Sequence, residues 1–275
     1  MMRADLHIHT TASDGRLSPQ EIVRQAVDAG LSHISITDHD TVDGLAELCR
    51  AGMLNDKRIA VIPGIEFSTD LPMHEVHILG YHIDIFNSTL QKQLAVIVND
   101  RRDRVGRIVT KLTELGYPID ESRVIELAGA STSIGRPHIA RALVEKGYFA
   151  NITEVFHALL YKNGPAYVPH FKLDYHSVLD LIAAAGGISV LAHPGLIGND
   201  GIVDDIIAAG VRGIEVYHPR HDSGQTKKYL ELAGRHRLAV TGGSDFHAIP
   251  TRFPEKLGIF TIPAELAVQL TADLS

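Results

Sequence analysis

Short apolar runs alternate with amphipathic helical segments along most of the chain, and this alternation restricts the fold more than any other feature. We predict strands at Ala4–His9, His33–Thr37, Ile59–Ile65, Glu75–Tyr81, Gly187–Ala192, Gly213–Tyr217, Leu238–Thr241 and Leu257–Thr261. Helices with a period of about 3.6 residues are predicted at Ser18–Ala29, Thr41–Arg50, His176–Ala185, Ile202–Ala209 and Gln225–His236. Strands alternating with helices indicate a parallel sheet covered by helices, and the number of repeats favours a barrel.

The alternation stops between about residues 90 and 163, where only helices are predicted. They are Leu90–Leu115, Pro137–Lys146 and Asn151–Leu160. An all-helical block within a barrel pattern indicates an insertion. We therefore expect a barrel of residues 1–89 and 164–275 with an inserted helical cap of residues 90–163.

Composition excludes several classes of protein. The formal net charge of −7 argues against a general binder of nucleic acids or membrane surfaces, which needs a basic footprint. With one cysteine, neither an intramolecular disulfide nor a thiolate zinc cluster is possible. No apolar run is long enough to span a membrane. We expect a cytoplasmic protein without membrane contact or an obligate protein partner.

Histidines and carboxylates recur at the ends of the predicted strands. His7 and His9 are two residues apart and therefore face the same side of the first strand. The further candidates are Asp14, His39, Glu66, His193, Asp245 and His247, with His77 inside the fourth strand. Strand ends of a parallel barrel share one rim, so we expect these side chains to converge there. Imidazoles and carboxylates suit Mn, Fe or Zn, and two neighbouring ions can activate water for phosphoester hydrolysis.

His74 is an alternative to His77, because only three residues separate them and they cannot share a strand face. Val76 and Ile78 mark the apolar side of this strand, which places His77 on the opposite side. We prefer His77.

The sequence resembles the PHP (polymerase and histidinol phosphatase) family in four motifs, His7-Ile8-His9, Thr37-Asp38-His39, His193-Pro194 and Asp245-Phe246-His247. The resemblance implies an α/β fold, a distorted (β/α)7 barrel with a helical insertion, and two or three divalent ions (Mn, Fe or Zn). It implies a first ion on His7, His9, Glu66 and Asp245, and a second on Glu66, His77 and His193. A third would lie on Asp14, His39 and His247, although some family members have histidine at the position of Asp14.

Two segments, Gly135–Ala140 in the insertion and Gly164–Pro169 directly after it, resemble the branch of nucleoside 3′,5′-bisphosphate phosphatases, whose relatives also trim short RNA from its 5′ end. This resemblance implies a phosphoesterase acting on a small nucleotide or on short 5′-phosphorylated RNA. A histidinol-phosphate phosphatase, a C–N amidohydrolase and a non-catalytic metal-dependent binding module remain alternatives.

Basic residues of the insertion are candidates for substrate binding. Arg136 and His138 flank a proline at a predicted helix start, where an anion is favoured, and Lys162 could join them. Arg102 could reach the same anion, although the alternative for its charged run is a solvated helix face.

Two further candidates follow a predicted barrel strand. Arg220 could contact a phosphate, and His221 could assist the leaving group or bind a phosphate, with an ordinary polar loop as the alternative.

Overall fold

Strands and helices alternate through both ends of the chain, as the sequence predicts. The computed structural model describes residues 2–71, 74–129, 134–169, 171, 173–250 and 252–272. The strands are β1 (Arg3–Ile8), β2 (His33–Ile36), β3 (Ala60–Leu71), β4 (His74–Tyr81), β5 (Ile188–Leu191), β6 (Gly213–Tyr217), β7 (Ala239–Gly242) and β8 (Ile262–Pro263). The α-helices are α1 (Pro19–Asp28), α2 (Asp43–Arg50), α3 (Ser88–Glu114), α4 (Glu121–Ala128), α5 (Arg136–Glu145), α6 (Ile152–Val155), α7 (Tyr175–Ala184), α8 (Asp200–Ala208), α9 (Ser223–His236) and α10 (Ala264–Ala272).

The eight strands form one sheet in the order β7-β6-β5-β4-β3-β2-β1-β8. A parallel bridge between Ile8 and Phe246 joins the end of β1 to the segment after β7, so the sheet nearly closes on itself. The predicted distorted α/β barrel with an inserted helical segment is confirmed.

The predicted parallel pairing holds for β1 with β2, β2 with β3, β5 with β6 and β6 with β7, but not for the rest of the sheet. β3 continues past Ile65 to Leu71 and pairs antiparallel with β4, which also pairs antiparallel with β5. Only two residues separate β3 from β4, and so short a connection cannot cross over to a parallel strand. Glu66 and His77 therefore lie within strands, and in the ladder Glu66 and Ser68 face Leu79 and His77.

The predicted strand Leu257–Thr261 is also wrong. Gly258 has a φ of +82°, which a regular strand does not adopt. The strand comes later, as β8, and pairs antiparallel with Arg3 and Ala4. The helices α4 and α10 were not predicted from the sequence.

Two hydrophobic cores meet along α3. Leu90 and Leu94, in its first half, pack into the core between the barrel strands and their helices. Val105, Ile108 and Leu112, in its second half, pack into a separate core with residues of α4 and α5. A second core supports a distinct helical unit, and the boundary at residues 90–163 stays a prediction.

Within the described part of the chain, no helix combines the length and apolar character needed to cross a membrane.

Candidate metal centre and active site

Glu66 lies at the centre of a ring of imidazoles. Its side chain is 1 % exposed, and five histidine nitrogens lie within 3.3 Å of its two carboxylate oxygens. The distances to Oε2 are 3.3 Å from His7 Nε2, 3.2 Å from His9 Nε2 and 3.1 Å from His39 Nδ1. Those to Oε1 are 2.8 Å from His77 Nδ1 and 3.1 Å from His193 Nε2. Strands β1, β3 and β4 and the loops after β2 and β5 thus deliver side chains to one point.

A second group extends the cluster. Asp245 Oδ1 lies 3.3 Å from His9 Nε2 and 3.5 Å from His247 Nδ1. His247 Nε2 lies 3.2 Å from Asp14 Oδ1. All nine sequence-predicted ligands are therefore brought together. His74 lies outside the cluster, where its Nδ1 is 3.0 Å from the carbonyl oxygen of Ile197.

Three subsets of these residues have the geometry of a cation site, with one ligand atom from each residue within 4.8 Å of the others. They are His7, His9 and Glu66; His39, Glu66 and His77; and His9, Asp14, His39 and His247. Glu66 belongs to two subsets and could bridge two ions. The subsets overlap those implied by the family resemblance, but they place His9 with the third group.

Unpaired buried atoms at the centre of the cluster fit bound metal ions. Among the described residues, five such atoms have no hydrogen-bond partner: His7 Nε2, His9 Nδ1, His9 Nε2, His39 Nδ1 and Glu66 Oε2. Leaving one buried polar atom unsatisfied costs about 1–3 kcal/mol, and such groups are rare in folded proteins. A divalent ion accepts the lone pairs of imidazole and carboxylate together, so the donor set suits a metal centre.

Several groups of the metal-free cluster already have the charge that a cation needs, but two histidines do not. Burial opposes a proton on His7 and His9, yet the carboxylates around them raise the pKa of His7 well above its usual range and that of His9 to about 9, so both rings must lose a proton when an ion binds. Burial alone would raise the pKa of Glu66, but the neighbouring imidazoles, His39 foremost, lower it well below its usual range. Burial would also raise the pKa of Asp14, but the neighbouring imidazoles, His247 foremost, hold it well below its usual range. Burial lowers the pKa of His39 to about 3, which leaves its ring neutral. Ionised carboxylates and neutral imidazoles are the forms that bind metals.

Two buried carboxylates that the sequence analysis did not assign support the cluster. Glu215, in β6, accepts hydrogen bonds from His7 Nδ1 and from the backbone N–H of His193. Asp38 accepts from Thr10 and Ser13 on the loop that carries Asp14. A charged residue inside an apolar strand, as in Gly213–Tyr217, is the signal that could have indicated Glu215.

The loop after β6 carries the two further candidates, Arg220 and His221. Both ring nitrogens of His221 are bonded, Nδ1 to the carbonyl oxygen of Val216 and Nε2 to the N–H of Gly195. His221 therefore braces the turn that follows His193. Arg220 is exposed and lines the wide cleft described below. His218 is buried, with Nε2 3.7 Å from Asp245 Oδ2.

A cavity of about 110 Å³ opens beside the nine predicted ligands, which are named here the metal cluster. Asp14, His39 and His77 form one part of its lining, and Arg101, Arg104 and Arg136 form another. These three arginines, named here the arginine wall, come from α3 and α5. Arg102, by contrast, is exposed and does not line the cavity.

The three arginines of the wall differ in their partners. Arg101 forms an ion pair with Asp40. Arg136 pairs with Glu75, at 2.6 Å between Nη2 and Oε1. Arg104 donates from Nε to the carbonyl oxygen of Val168, and it forms no ion pair with any described residue. Its Nη2 atom is buried and has no hydrogen-bond partner in the described part of the chain.

Lys162 and His138 hold backbone groups. Lys162 Nζ donates to the carbonyl oxygens of Leu71 (2.6 Å) and His74 (2.5 Å), which links the insertion to the β3–β4 hairpin. His138 is 3 % exposed and accepts from the N–H of Gly135 at the start of α5.

A wider cleft of about 810 Å³ exposes the cluster to solvent. Glu66, His77 and His193 lie in its floor, and Phe156 and Pro250 are among its apolar lining residues. The metal cluster is thus reached from the wide cleft, with the arginine wall to one side.

A cluster of histidines and carboxylates in a nearly closed α/β barrel, flanked by arginines, defines a metal-dependent phosphoric ester hydrolase. The comparisons identify the family. The profile of the PHP domain matches residues 5–240, and the chain belongs to the PHP family.

Relatives with assigned activities are about one-third identical to the chain. A phosphoribosyl 1,2-cyclic phosphate 1,2-diphosphodiesterase of Eggerthella lenta is 33 % identical over 96 % of this chain and 100 % of its own length. A 3′,5′-nucleoside bisphosphate phosphatase of Chromobacterium violaceum is 33 % identical over 90 % of this chain and 88 % of its own. The 5′-3′ exoribonuclease Rnm of Escherichia coli is 34 % identical over 88 % of this chain and 84 % of its own.

Solved structures agree with the barrel. A candidate metal-dependent phosphoesterase of Bifidobacterium adolescentis superposes with a TM-score of 0.86 at 31 % identity, covering 98 % of this chain and 95 % of that one. A Chromobacterium violaceum protein described as an amidohydrolase, with bound sulfate and no metal, gives 0.85 at 31 % identity, covering 98 % and 96 %.

Proposed function

We propose that this enzyme hydrolyses a phosphomonoester of a nucleotide that carries a second phosphate, such as a nucleoside 3′,5′-bisphosphate. Short RNA with a 5′-phosphate is a further substrate under this proposal. The observation that carries it is Arg104, a buried cation with an unpaired donor in a cavity that also contains Asp14, His39 and His77. A buried donor without an acceptor is costly, and a substrate phosphate would supply an acceptor to the Nη2 atom of Arg104, which has none among the described residues.

The residues of the cluster would hold two or three ions of Mn, Fe or Zn, with Glu66 between two of them. When bound, the ions supply an activated water and neutralise the charge that develops on the phosphoryl oxygens. The chain itself fixes the ligands by burial and orients the substrate. We propose His7, His9, Asp14, His39, Glu66, His77, His193, Asp245 and His247 as ligands.

Substrate orientation follows from the position of the arginine wall beside the cluster. In our proposal Arg104 and Arg136 bind the phosphate that does not react, which leaves the other phosphate over Glu66. Arg136 also lies 5.7 Å from the centre of the Phe156 ring, at the border of the wide cleft. The apolar lining there suits a nucleobase.

A second candidate is hydrolysis of phosphoribosyl 1,2-cyclic phosphate. It is supported by the alignment with the Eggerthella lenta enzyme, which extends over that protein's full length. This substrate also carries a second phosphate, so it would use the same arginines. Histidinol phosphate has no second phosphate to pair with the Nη2 atom of Arg104, which has no partner among the described residues, and this makes it the weaker alternative.

A substrate panel tests the proposal. Purified protein with Mn²⁺ is assayed on adenosine 3′,5′-bisphosphate, adenosine 5′-monophosphate, phosphoribosyl 1,2-cyclic phosphate, 5′-phosphorylated RNA and histidinol phosphate. We expect kcat/KM for the bisphosphate to exceed that for the monophosphate by about 10–100-fold, as expected for one charge-assisted contact. Equal rates on both would reject a role for the second phosphate. Preference for the cyclic substrate would select the second candidate.

A further inference from the structure

Glu215 is a fully buried carboxylate in the middle of β6, between Ile214 and Val216. One oxygen, Oε1, lies 3.0 Å from Nδ1 of His7. The other, Oε2, accepts from the backbone N–H of His193 at 2.7 Å. A single side chain therefore contacts residues of two different strand ends, and each of them is a proposed metal ligand.

At His7, the contact determines which ring nitrogen carries the proton. An Nδ1–H that donates to Glu215 leaves the lone pair on Nε2, and this atom lies 3.3 Å from Glu66 Oε2. A carboxylate behind a histidine fixes the orientation of the ring and makes the opposite nitrogen a better metal ligand.

At His193, the contact holds an unusual backbone conformation. This residue has φ +27° and ψ +58°, in a region that residues other than glycine seldom adopt and that needs support from its surroundings. The hydrogen bond from its N–H to Glu215 supplies such support. In this conformation the His193 side chain lies with Nε2 3.1 Å from Glu66 Oε1.

We propose that Glu215 is the positioning residue of the metal centre, which sets the ring of His7 and the backbone of His193 at the same time. The inference rests on the proposed metal centre, because it assumes that both histidines bind ions. It assigns to β6 a part in metal binding although β6 supplies none of the nine proposed ligands.

Glu215→Gln tests the proposal, because the amide keeps the shape but has only one oxygen. One of the two donors must then face an NH₂ group. We expect Mn²⁺ affinity, measured by isothermal titration calorimetry, to fall about 10–100-fold, as is typical when a residue behind a metal ligand is lost. Activity should return at high Mn²⁺, so the metal concentration for half-activity rises while kcat changes less.

Thr241→Val is the matched control. Thr241 lies opposite Glu215 in the ladder between β6 and β7 and is equally buried, but its hydroxyl forms no hydrogen bond with any of the nine proposed ligands. We expect wild-type Mn²⁺ affinity in this variant. Circular dichroism and melting of the metal-free proteins check the fold, and Glu215→Asp replaces Glu215→Gln if the latter does not fold.

The outcomes separate this inference from the proposed function. A wild-type protein that binds no Mn²⁺ would reject the metal centre itself. Wild-type protein that binds Mn²⁺, together with a folded Glu215 variant of unchanged affinity, would overturn the positioning role alone. A loss of affinity in the Glu215 variant but not in Thr241→Val supports it.

Discussion

The metal cluster and the arginine wall border the same cavity, but the chain builds them in different ways. The cluster comes from strands and strand ends, and carboxylates such as Glu215 and Asp38 brace its residues from behind. The wall comes from helices of the insertion, and its arginines are held by ion pairs or by backbone carbonyls. The first region is fixed by the sheet, and the second depends on how the insertion packs.

From this difference we expect chemistry and selectivity to be separable in this fold. Ion binding needs several ligands at fixed distances, which the strands of a barrel supply. Recognition of a second phosphate needs only a few cations at a suitable distance, which a variable insertion can supply. Changes in the cluster should therefore abolish turnover on every substrate, whereas changes in the wall should alter preference among substrates.

The largest effect is expected from Glu66→Gln. Glu66 is the carboxylate shared by two of the candidate cation sites, and a neutral amide neither bridges ions well nor balances their charge. We expect kcat to fall at least about a thousandfold, which corresponds to about 4 kcal/mol. Phosphate release measures activity, and elemental analysis of the purified protein measures bound metal.

Removing the metal with a chelator tests the metal centre without a mutation. Wild-type protein treated with a chelator should lose activity and regain it with Mn²⁺, and its melting temperature should rise on adding Mn²⁺, because a ligand that binds only the folded state stabilises it. Glu66→Gln should show a smaller rise. Full activity after exhaustive metal removal would contradict the assignment of the centre.

The cluster was predictable from sequence, whereas of the arginine wall only Arg136 was predicted, for a physical reason. Strand alternation puts His7 and His9 on one face whatever the rest of the chain does. Which arginine of α3 faces inward depends on the phase of the helix against the barrel. The sequence pattern therefore indicated Arg102 as an anion-binding candidate, whereas in the structure Arg101 and Arg104 are the buried arginines of this segment.

The fold was likewise predictable where local periodicity determines it and not where it depends on contacts distant in sequence. Local periodicity indicated α3 within two residues at each end, because its apolar face repeats over 27 residues. The direction of β4 depends on the continuation of β3 to Leu71, which no local pattern marked. The support from Glu215 depends on two partners that are 22 and 208 residues away in sequence.

The next largest effect is expected from Arg104→Met, which removes the cation but keeps an apolar stem of similar length. We expect kcat/KM for adenosine 3′,5′-bisphosphate to fall about 10–100-fold, because a hydrogen bond to a charged group contributes about 1.5–3 kcal/mol. Metal content and the rate on adenosine 5′-monophosphate should stay near wild type.

Arg102→Met is the matched comparison, since Arg102 lies two residues away on the same helix and is exposed. The structure predicts a change of less than about twofold for it, as for most surface substitutions. A larger loss in Arg102→Met than in Arg104→Met would restore the sequence-based assignment and reject the wall as defined here.

The smallest effect is expected from Glu75→Gln, and it distinguishes two uses of the ion pair between Glu75 and Arg136. The pair lies at the border of the cavity, with the Glu75 side chain 37 % exposed. If the carboxylate mainly competes with substrate phosphate for Arg136, then removing its charge should lower KM for the bisphosphate by up to about fivefold, the range of a partly exposed ion pair. We expect this direction, because Arg136 also donates to the carbonyl oxygen of Leu160 and stays anchored without Glu75.

A raised KM would show instead that Glu75 orients Arg136 for binding. In that event selectivity, like the metal centre, would depend on a carboxylate that holds its neighbour in place.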